Sequence, residues 1–370
     1  MNKAETNQNI LIENISRKEK LERNEIEFLL SLSEKDDINQ LSQLANEEKS
    51  KHVQNITYFR GLLEFSNHCE KNCFYCGIRK GNQHINRYQL SREEIIQAAE
   101  FAWKSRYGSI VLQSGELSDA KSVNFICDIL QEIRQKTNGE LGITLSCGEH
   151  TKENYQRFFE AGAHRYLLRI ETTDRELYYK IHPKNALHNF ENRLNCLYLL
   201  KECGYQVGTG VMVGLPGQTI SSLAGDLLFF RDFDVDMVGL GPYIEHSQTP
   251  LFKMAQPELS REQRFHLTLN MISVLRLMMK NINIAAATAL QAIDLMGREK
   301  ALKAGANIIM PNITPKKYRG DYLLYEDKPC IDEDAEECKD CLDWRIRMIG
   351  DEIGYGKWGD SQHFDKRINP

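Results

Sequence analysis

Ser91-Arg-Glu-Glu-Ile-Ile-Gln-Ala-Ala-Glu-Phe-Ala-Trp-Lys-Ser-Arg-Tyr-Gly108-Ser-Ile-Val-Leu-Gln-Ser-Gly115 holds one complete structural joint. Ser91 and Glu94 have the spacing of a capping box, in which the two side chains satisfy orphan amides at a helix start. Ile95, Ala98, Ala99 and Ala102 continue one apolar face, so a helix is predicted over 92–105. Gly108 can close that helix, and the apolar run from Ser109 reads as a buried strand. The same join recurs at Gly162 before Arg165–Arg169, at Gly204 before Gln206–Val213, and at Gly305 before Asn307–Pro311. Four copies of one joint indicate a repeated helix-to-strand unit.

Further strands are predicted at Tyr58–Phe65, Leu141–Ser146, Met237–Gly241 and Ile282–Thr288, with helical patterns between them. One such helix opens on a second capping box, Ser260-Arg-Glu-Gln263, and runs to about Met279. Eight strands alternating with helices predict parallel pairing and a complete (β/α)8 TIM-type barrel, with an open doubly wound sheet as the alternative. The expected organisation is an N-terminal helical segment (1–55) packing beneath the barrel, the barrel itself (56–325), and a C-terminal Cys-rich extension (326–370).

The 370 residues suit one barrel core, and 41% of them are hydrophobic. A net charge of −5 without a Lys/Arg stripe argues against nucleic acid and for a small-molecule partner. No apolar run approaches a membrane span, and the N-terminus lacks the apolar core of a signal peptide. A cytoplasmic, reducing location is expected, and with it free thiols instead of disulfides.

Two cysteine groups stand out among the ten cysteines. Cys69-Glu-Lys-Asn-Cys73-Phe-Tyr-Cys76 puts three thiols on one short loop after a strand. An iron–sulfur cube takes thiolates at its corners, and three of them leave one iron open for chemistry. A zinc knuckle completed by His68 or His84 is the competing reading. The second group, Cys330, Cys338 and Cys341, follows the eighth strand and is expected at the barrel rim. Its spacing leaves an accessory iron–sulfur cluster, a zinc ion and no metal as three open readings. Cys127, Cys147, Cys196 and Cys203 fall within helix or strand patterns and read as buried thiols.

Barrels of this type work at the C-terminal ends of their strands. Those ends carry Gln113, Ser114, Glu116, Thr144, Ser146, Arg169, Glu171, Tyr243, Glu245, His246 and Thr288. Gly115 and Glu116 suit an ammonium, while Arg169 or Arg193 suits a carboxylate. Arg169 and Glu171 share a strand face and could instead form a purely structural ion pair. His246 reads as a loop hydrogen-bonder. Glycines in Gly208-Thr-Gly210-Val-Met-Val-Gly214-Leu-Pro-Gly217 match neither the dinucleotide pattern nor a P-loop and suggest close approach of a flat ligand such as adenine.

These elements together resemble the radical S-adenosylmethionine (SAM) enzymes of the biotin synthase group, and within it the HydE family of [FeFe]-hydrogenase maturases. The resemblance rests on Glu64-Phe-Ser-Asn67 before the cysteine loop, Val111–Glu116, Arg165–Thr172, Phe190–Asn195, Met212–Thr219, Asp236–Pro242 and the terminal cysteines. It implies a [4Fe-4S] cluster on Cys69, Cys73 and Cys76, whose open iron binds the amino and carboxylate groups of SAM. It further implies backbone contacts from Tyr75 to adenine, Glu171 on the ribose and Arg193 on the SAM carboxylate. Gln113, Thr144, Arg169, Thr288, Tyr322 and Tyr325 would line a substrate cavity. Partners implied are the maturases HydG and HydF and a low-potential electron donor. A sister enzyme of the methylornithine synthase or biotin synthase type is the alternative within the class, and a non-catalytic iron–sulfur carrier the alternative outside it. The family's Arg-His-Glu-Thr is here Arg169-Ile170-Glu171-Thr172, which removes a proton donor.

Overall fold

The computed structural model of the chain describes residues 3–368. Three N-terminal helices, α1 (Lys3–Ser16), α2 (Arg23–Leu30) and α3 (Lys35–His52), lead into β1 (Ile56–Ser66). The repeat then runs α4 (Arg92–Lys104), β2 (Ser109–Ser114), α5 (Ala120–Lys136), β3 (Gly142–Ser146), α6 (Lys152–Ala161) and β4 (Arg165–Leu167). It continues through α7 (Arg175–Ile181) and α8 (Phe190–Glu202) to β5 (Gln206–Val213), then α9 (Ile220–Phe233) and β6 (Met237–Pro242). After α10 (Pro250–Met254) and α11 (Arg261–Met278) come β7 (Asn283–Ala286), α12 (Thr288–Ile293), α13 (Gly297–Lys303) and β8 (Ile308–Ile309). The chain ends with α14 (Lys316–Arg319), α15 (Ala335–Met348), β9 (Glu352–Ile353) and α16 (Gln362–Ile368).

Among the described residues, β1 to β8 pair in order, all parallel, and β1 pairs with both β2 and β8. That closure excludes the open sheet. Both expected capping boxes are formed, at Ser91/Glu94 and at Ser260/Gln263. Gly162, Gly204 and Gly305 take positive φ at helix ends, as the joint requires. Gly108 differs: Arg106 already supplies the left-handed residue after α4, at φ 58°. A Cβ on Gly108 would lie 1.9 Å from the Lys357 carbonyl oxygen, so this glycine admits the C-terminal tail instead.

The N-terminal helices do not lie beneath the barrel as expected. Instead α3 packs against α11 and α13, and α2 against α9 and α11, on the outer helical layer. The base is closed by the tail. Arg60 on β1 and Asn283 on β7 both donate to the Gly359 carbonyl, at 3.0 and 2.9 Å. Arg165 on β4 donates to Asp360 at 2.6 Å and to the Trp358 carbonyl at 2.9 Å. The opposite mouth, at the strand C-termini, is left for the cysteine loop.

Candidate active site

The cysteine loop leaves β1 at Ser66 and is fastened from several sides. Arg87 is its main clamp: one Nη donates to the carbonyls of Asn67 and Ile78, at 2.6 and 2.7 Å, and the other to those of Arg79 and Asn82, at 2.6 and 3.2 Å. Phe74 N donates to the Ile181 carbonyl at 3.0 Å, and Asn72 N to His188 Nε2 at 2.8 Å. Gly115 is required by close approach, because a Cβ there would lie 2.2 Å from the His68 carbonyl oxygen and 2.8 Å from Cys69 Cβ.

Burial pushes the Cys69 thiol up to about 11 and the Cys76 thiol up to about 12, and it raises Cys73 well above its usual value. Neighbouring thiols add to the rise at Cys73 and Cys76, and Glu116 to that at Cys69. Three such groups become thiolates when they gather around a strongly positive body. Glu116 N points at Cys69 Sγ from 3.4 Å, an amide-to-sulfur contact that suits an anionic sulfur. The donor set therefore fits an iron–sulfur cube.

Beside the thiols lies a four-membered charge array. Arg193 Nη1 meets both Glu116 carboxylate oxygens, at 2.8 and 3.0 Å, and Glu149 at 3.1 Å. Lys71, from within the cysteine loop, meets Glu149 at 3.1 Å. Burial opposes ionisation of Glu116, yet Arg193 and Lys71 hold its carboxyl below the usual range. Arg193 is anchored in turn by a 2.9 Å bond from Nε to the Arg169 carbonyl. Lys71 and Glu149 escape sequence reasoning that stops at strand ends, because Glu149 lies beyond β3. The one signal for Lys71 is its place between two cysteines.

Arg169 and Glu171 do pair, with two parallel 2.9 Å bonds, and Arg169 also donates to the Gly239 carbonyl at 2.8 Å. Gly210 is required by the neighbouring strand, since a Cβ there would stand 2.0 Å from the Gly239 carbonyl oxygen, and a Cβ on Gly239 would crowd Arg169 Nη1 at 3.3 Å. The close approach expected of a flat ligand here is thus made by the protein itself. Glu171 holds φ at 67°, a strained value for a side-chain-bearing residue, and is bridged to Val211 of β5. Tyr75 sits in an apolar group with Leu177, Ile181, Leu215, Tyr243 and Leu251. Its hydroxyl lies 3.3 Å from His182 Nε2, and burial lowers that imidazole to about 3, so it stays neutral.

Gln113 donates to the Tyr322 hydroxyl at 3.3 Å. Thr144 stands lower in the barrel, accepting from Arg165 Nε at 3.0 Å and lining a cavity of about 20 Å³ with Arg60, Leu167 and Met310. Thr288 opens α12 and is half-buried, as is Tyr325. His246 is buried in its loop, where Nδ1 accepts from Gln248 N at 3.2 Å. Cys127, Cys147 and Cys196 are buried free thiols, and Cys203 is half-buried. Near the mouth, Arg319 donates to the carbonyls of Cys330 and Glu333, at 2.9 and 2.7 Å, and Arg298 Nη2 is 4.0 Å from Cys330 Sγ. Cys341 is exposed on α15, and the Cys338 side chain lies outside the described residues.

The model of the radical SAM superfamily matches residues 63–230. The [FeFe] hydrogenase maturase subunit HydE of Thermotoga maritima is 43% identical over 346 residues, spanning 92% of this chain and 95% of that protein. The chain belongs to the HydE family of radical SAM enzymes. Family membership brings a [4Fe-4S] cluster and SAM as cofactors. Among solved structures, methylornithine synthase (PylB) superposes with a TM-score of 0.78 at 26% identity, over 94% of this chain and 98% of that one. HydG from Carboxydothermus hydrogenoformans gives a TM-score of 0.79 at 20% identity, over 98% of this chain and 82% of that one, a likeness of fold. No helix of this HydE-family chain is long and apolar enough, among the described residues, to cross a membrane.

Proposed function

We propose that this protein cleaves SAM reductively and directs the resulting radical onto a sulfur-containing, organometallic precursor of the diiron subcluster of [FeFe] hydrogenase. The observation that carries this reading is near full-length kinship with HydE, combined with three desolvated thiols beside a balanced charge array. When bound to Cys69, Cys73 and Cys76, the [4Fe-4S] cluster supplies the electron that breaks the sulfonium bond of SAM.

The chain's own residues bind and orient. Glu116 and Glu149 balance Arg193 and Lys71, so the array as a whole is neutral. A neutral array of paired charges suits a zwitterion, whose ammonium finds Glu116 and whose carboxylate finds Arg193. The apolar group around Tyr75 gives adenine a dry surface, and Glu171, held rigid by Arg169, presents its free lone pairs to the ribose. Gln113, Arg169, Thr288, Tyr322 and Tyr325 form the polar lining for the substrate, with Thr144 at its lower limit against Arg165. HydG is the supplier of that substrate and HydF the recipient of the product in this reading, and the accessory cysteines hold a second cluster outside the core reaction. With Ile170 in place of the family's histidine, no proton is delivered from that position.

A methylornithine synthase-like rearrangement is the second reading, supported by the superposition on PylB over nearly the whole chain. The test uses anaerobically reconstituted, reduced protein, with electron paramagnetic resonance spectra recorded with and without SAM and an assay for 5′-deoxyadenosine. The expected result is a SAM-shifted cluster signal and deoxyadenosine formation, lost in Cys73→Ala and kept in Cys338→Ala. Equal loss in both variants would overturn the division into catalytic and accessory sites. Conversion of lysine to methylornithine would transfer the reading to the sister enzyme, and an intact cluster with neither shift nor product would make it a carrier.

A further inference from the structure

The cysteine loop is gripped by three stretches, 77–90, 180–190 and 246–257. The first is joined to it by the Lys80 N bond to the Lys71 carbonyl at 2.8 Å, the second by the bonds from Phe74 N and Asn72 N, and the third by Leu251 N to the Phe74 carbonyl at 2.9 Å. Arg79 and Asn82 of the first also bond Gln248 of the third, at 3.1 and 2.9 Å. Together these stretches carry Arg79, Lys80, Arg87, Lys180, Lys184 and Lys253, and not one Asp or Glu, in a chain whose net charge is −5. The six cations are scattered in sequence, so only the fold gathers them into a collar.

Four of them, Lys80, Lys180, Lys184 and Lys253, are exposed and make no ion pair among the described residues. Of the acidic groups that border these stretches, Glu191 pairs with Arg175, Glu245 with Arg261 and Arg264, and Asp327 with Arg261 at 2.8 Å, while Glu258 and Glu326 accept from the amides of Gly217 and Ser247 and lie at the edge of the collar. Large apolar side chains stand among the lysines. Leu187 is 45% exposed, Phe252 36% and Met254 61%. An apolar patch set among an excess of unpaired positive charge is the composition of a transient, electrostatically steered interface.

We propose that this collar docks an acidic, low-potential electron-carrier protein. This rests on the reductive SAM chemistry proposed above, which consumes one external electron per cleavage. The collar is bonded directly to the cysteine loop, so a carrier seated on it lies beside the thiols while opposite charges steer it in. In the encounter one electron leaves the carrier's reduced centre, which is oxidised by one, and enters the cluster, which is reduced by one. No bond or proton moves.

The test compares reconstituted wild-type holoenzyme with a Lys80→Glu/Lys184→Glu/Lys253→Glu variant, using a purified acidic 2[4Fe-4S] ferredoxin as the probe. Calorimetry gives the Kd for oxidised ferredoxin at low and high salt, stopped-flow absorbance gives the rate of cluster reduction by reduced ferredoxin, and photoreduced deazaflavin drives SAM cleavage without a protein donor. The expected result is a Kd raised about tenfold or more in the variant, a similar loss of reduction rate, and loss of the salt dependence that wild type displays. Deazaflavin-driven cleavage stays within about twofold, because none of the three lysines touches SAM or the cluster. An unchanged Kd and reduction rate would overturn the proposal. A Lys→Gln triple variant guards against misfolding and is expected to fall between the two. Failure of deazaflavin-driven cleavage in wild type itself would instead strike the proposed activity.

Discussion

Asp226, on the outer helix α9, is fully buried and receives both the amide and the hydroxyl of Thr173 on one carboxylate oxygen, each at 2.6 Å. Its other oxygen is buried without a partner. Desolvation outweighs the two bonds and pushes the carboxyl up to about 7. A group whose folded pKa lies above its unfolded value binds an extra proton in the folded state. It therefore contributes stability at pH below about 4 that is lost as the pH rises to about 7. Urea unfolding of the apoprotein is expected to give a midpoint that falls across this window, and Asp226→Asn to flatten the fall while keeping the Thr173 bonds. An identical pH dependence in the variant would place its origin elsewhere. The Arg169–Glu171 pair teaches a related lesson: two residues apart on a strand, they were open to either a structural or a ligand-binding reading, and the geometry has both carboxylate oxygens on the guanidinium.

At the scale of elements, what was legible in the sequence is what local chemistry dictates. The capping boxes and the glycine ends of α6, α8 and α13 are set by neighbours within a few residues, and all of them formed. Gly108 misled because its positive φ serves Lys357, far along the chain. Strand eight shrank to Ile308–Ile309, too short for any periodicity to mark its limits. Glu149 and Lys71 joined the site through a charge array that sequence spacing does not encode. The cysteine loop depends on such support as well, since Arg87 ties the Asn67 carbonyl at its start to the carbonyls of Ile78, Arg79 and Asn82 in the stretch that follows it. Removing a guanidinium that satisfies buried carbonyls costs about 1–3 kcal/mol for each group left bare, spread over a loop that must stay rigid around its ligand. Arg87→Ala is thus expected to release iron to a chelator at least about tenfold faster than wild type, with Arg87→Lys intermediate. Release at the wild-type rate would mean that the other fastenings suffice.

For the whole molecule, the decisive fact is that the two barrel mouths are closed by different parts of one chain. The upper mouth belongs to the cysteine loop and the segment 322–330, where Lys328 and Glu64 pair at 2.5 Å in the interior. The lower mouth belongs to the tail. There Arg60 and Arg165 are both buried, and Asp360 is the acid set against them, 2.6 Å from Arg165 and 3.2 Å from His164. Burial works against ionisation of Asp360, but His164 and Arg165 hold its carboxyl far below the usual range. Desolvation lowers His164 to about 4 despite that contact, so at neutral pH the imidazole is a neutral donor and Arg165 supplies the charge. Breaking a buried pair by removing one partner typically costs about 3–5 kcal/mol, because the other charge stays buried. Asp360→Ala is expected to lower unfolding stability by an amount of that order, and Arg165→Met in the same chain to restore much of it. The functional consequence reaches across the barrel, because a loosened floor admits hydrogen-atom donors with weak X–H bonds, such as thiols from solution, which water itself is not. In Asp360→Ala, deoxyadenosine should therefore form at a near wild-type rate while the yield of substrate-derived product per deoxyadenosine falls. If that ratio holds while stability drops, the tail is a clamp on the fold and the barrel keeps competing hydrogen donors out by other means.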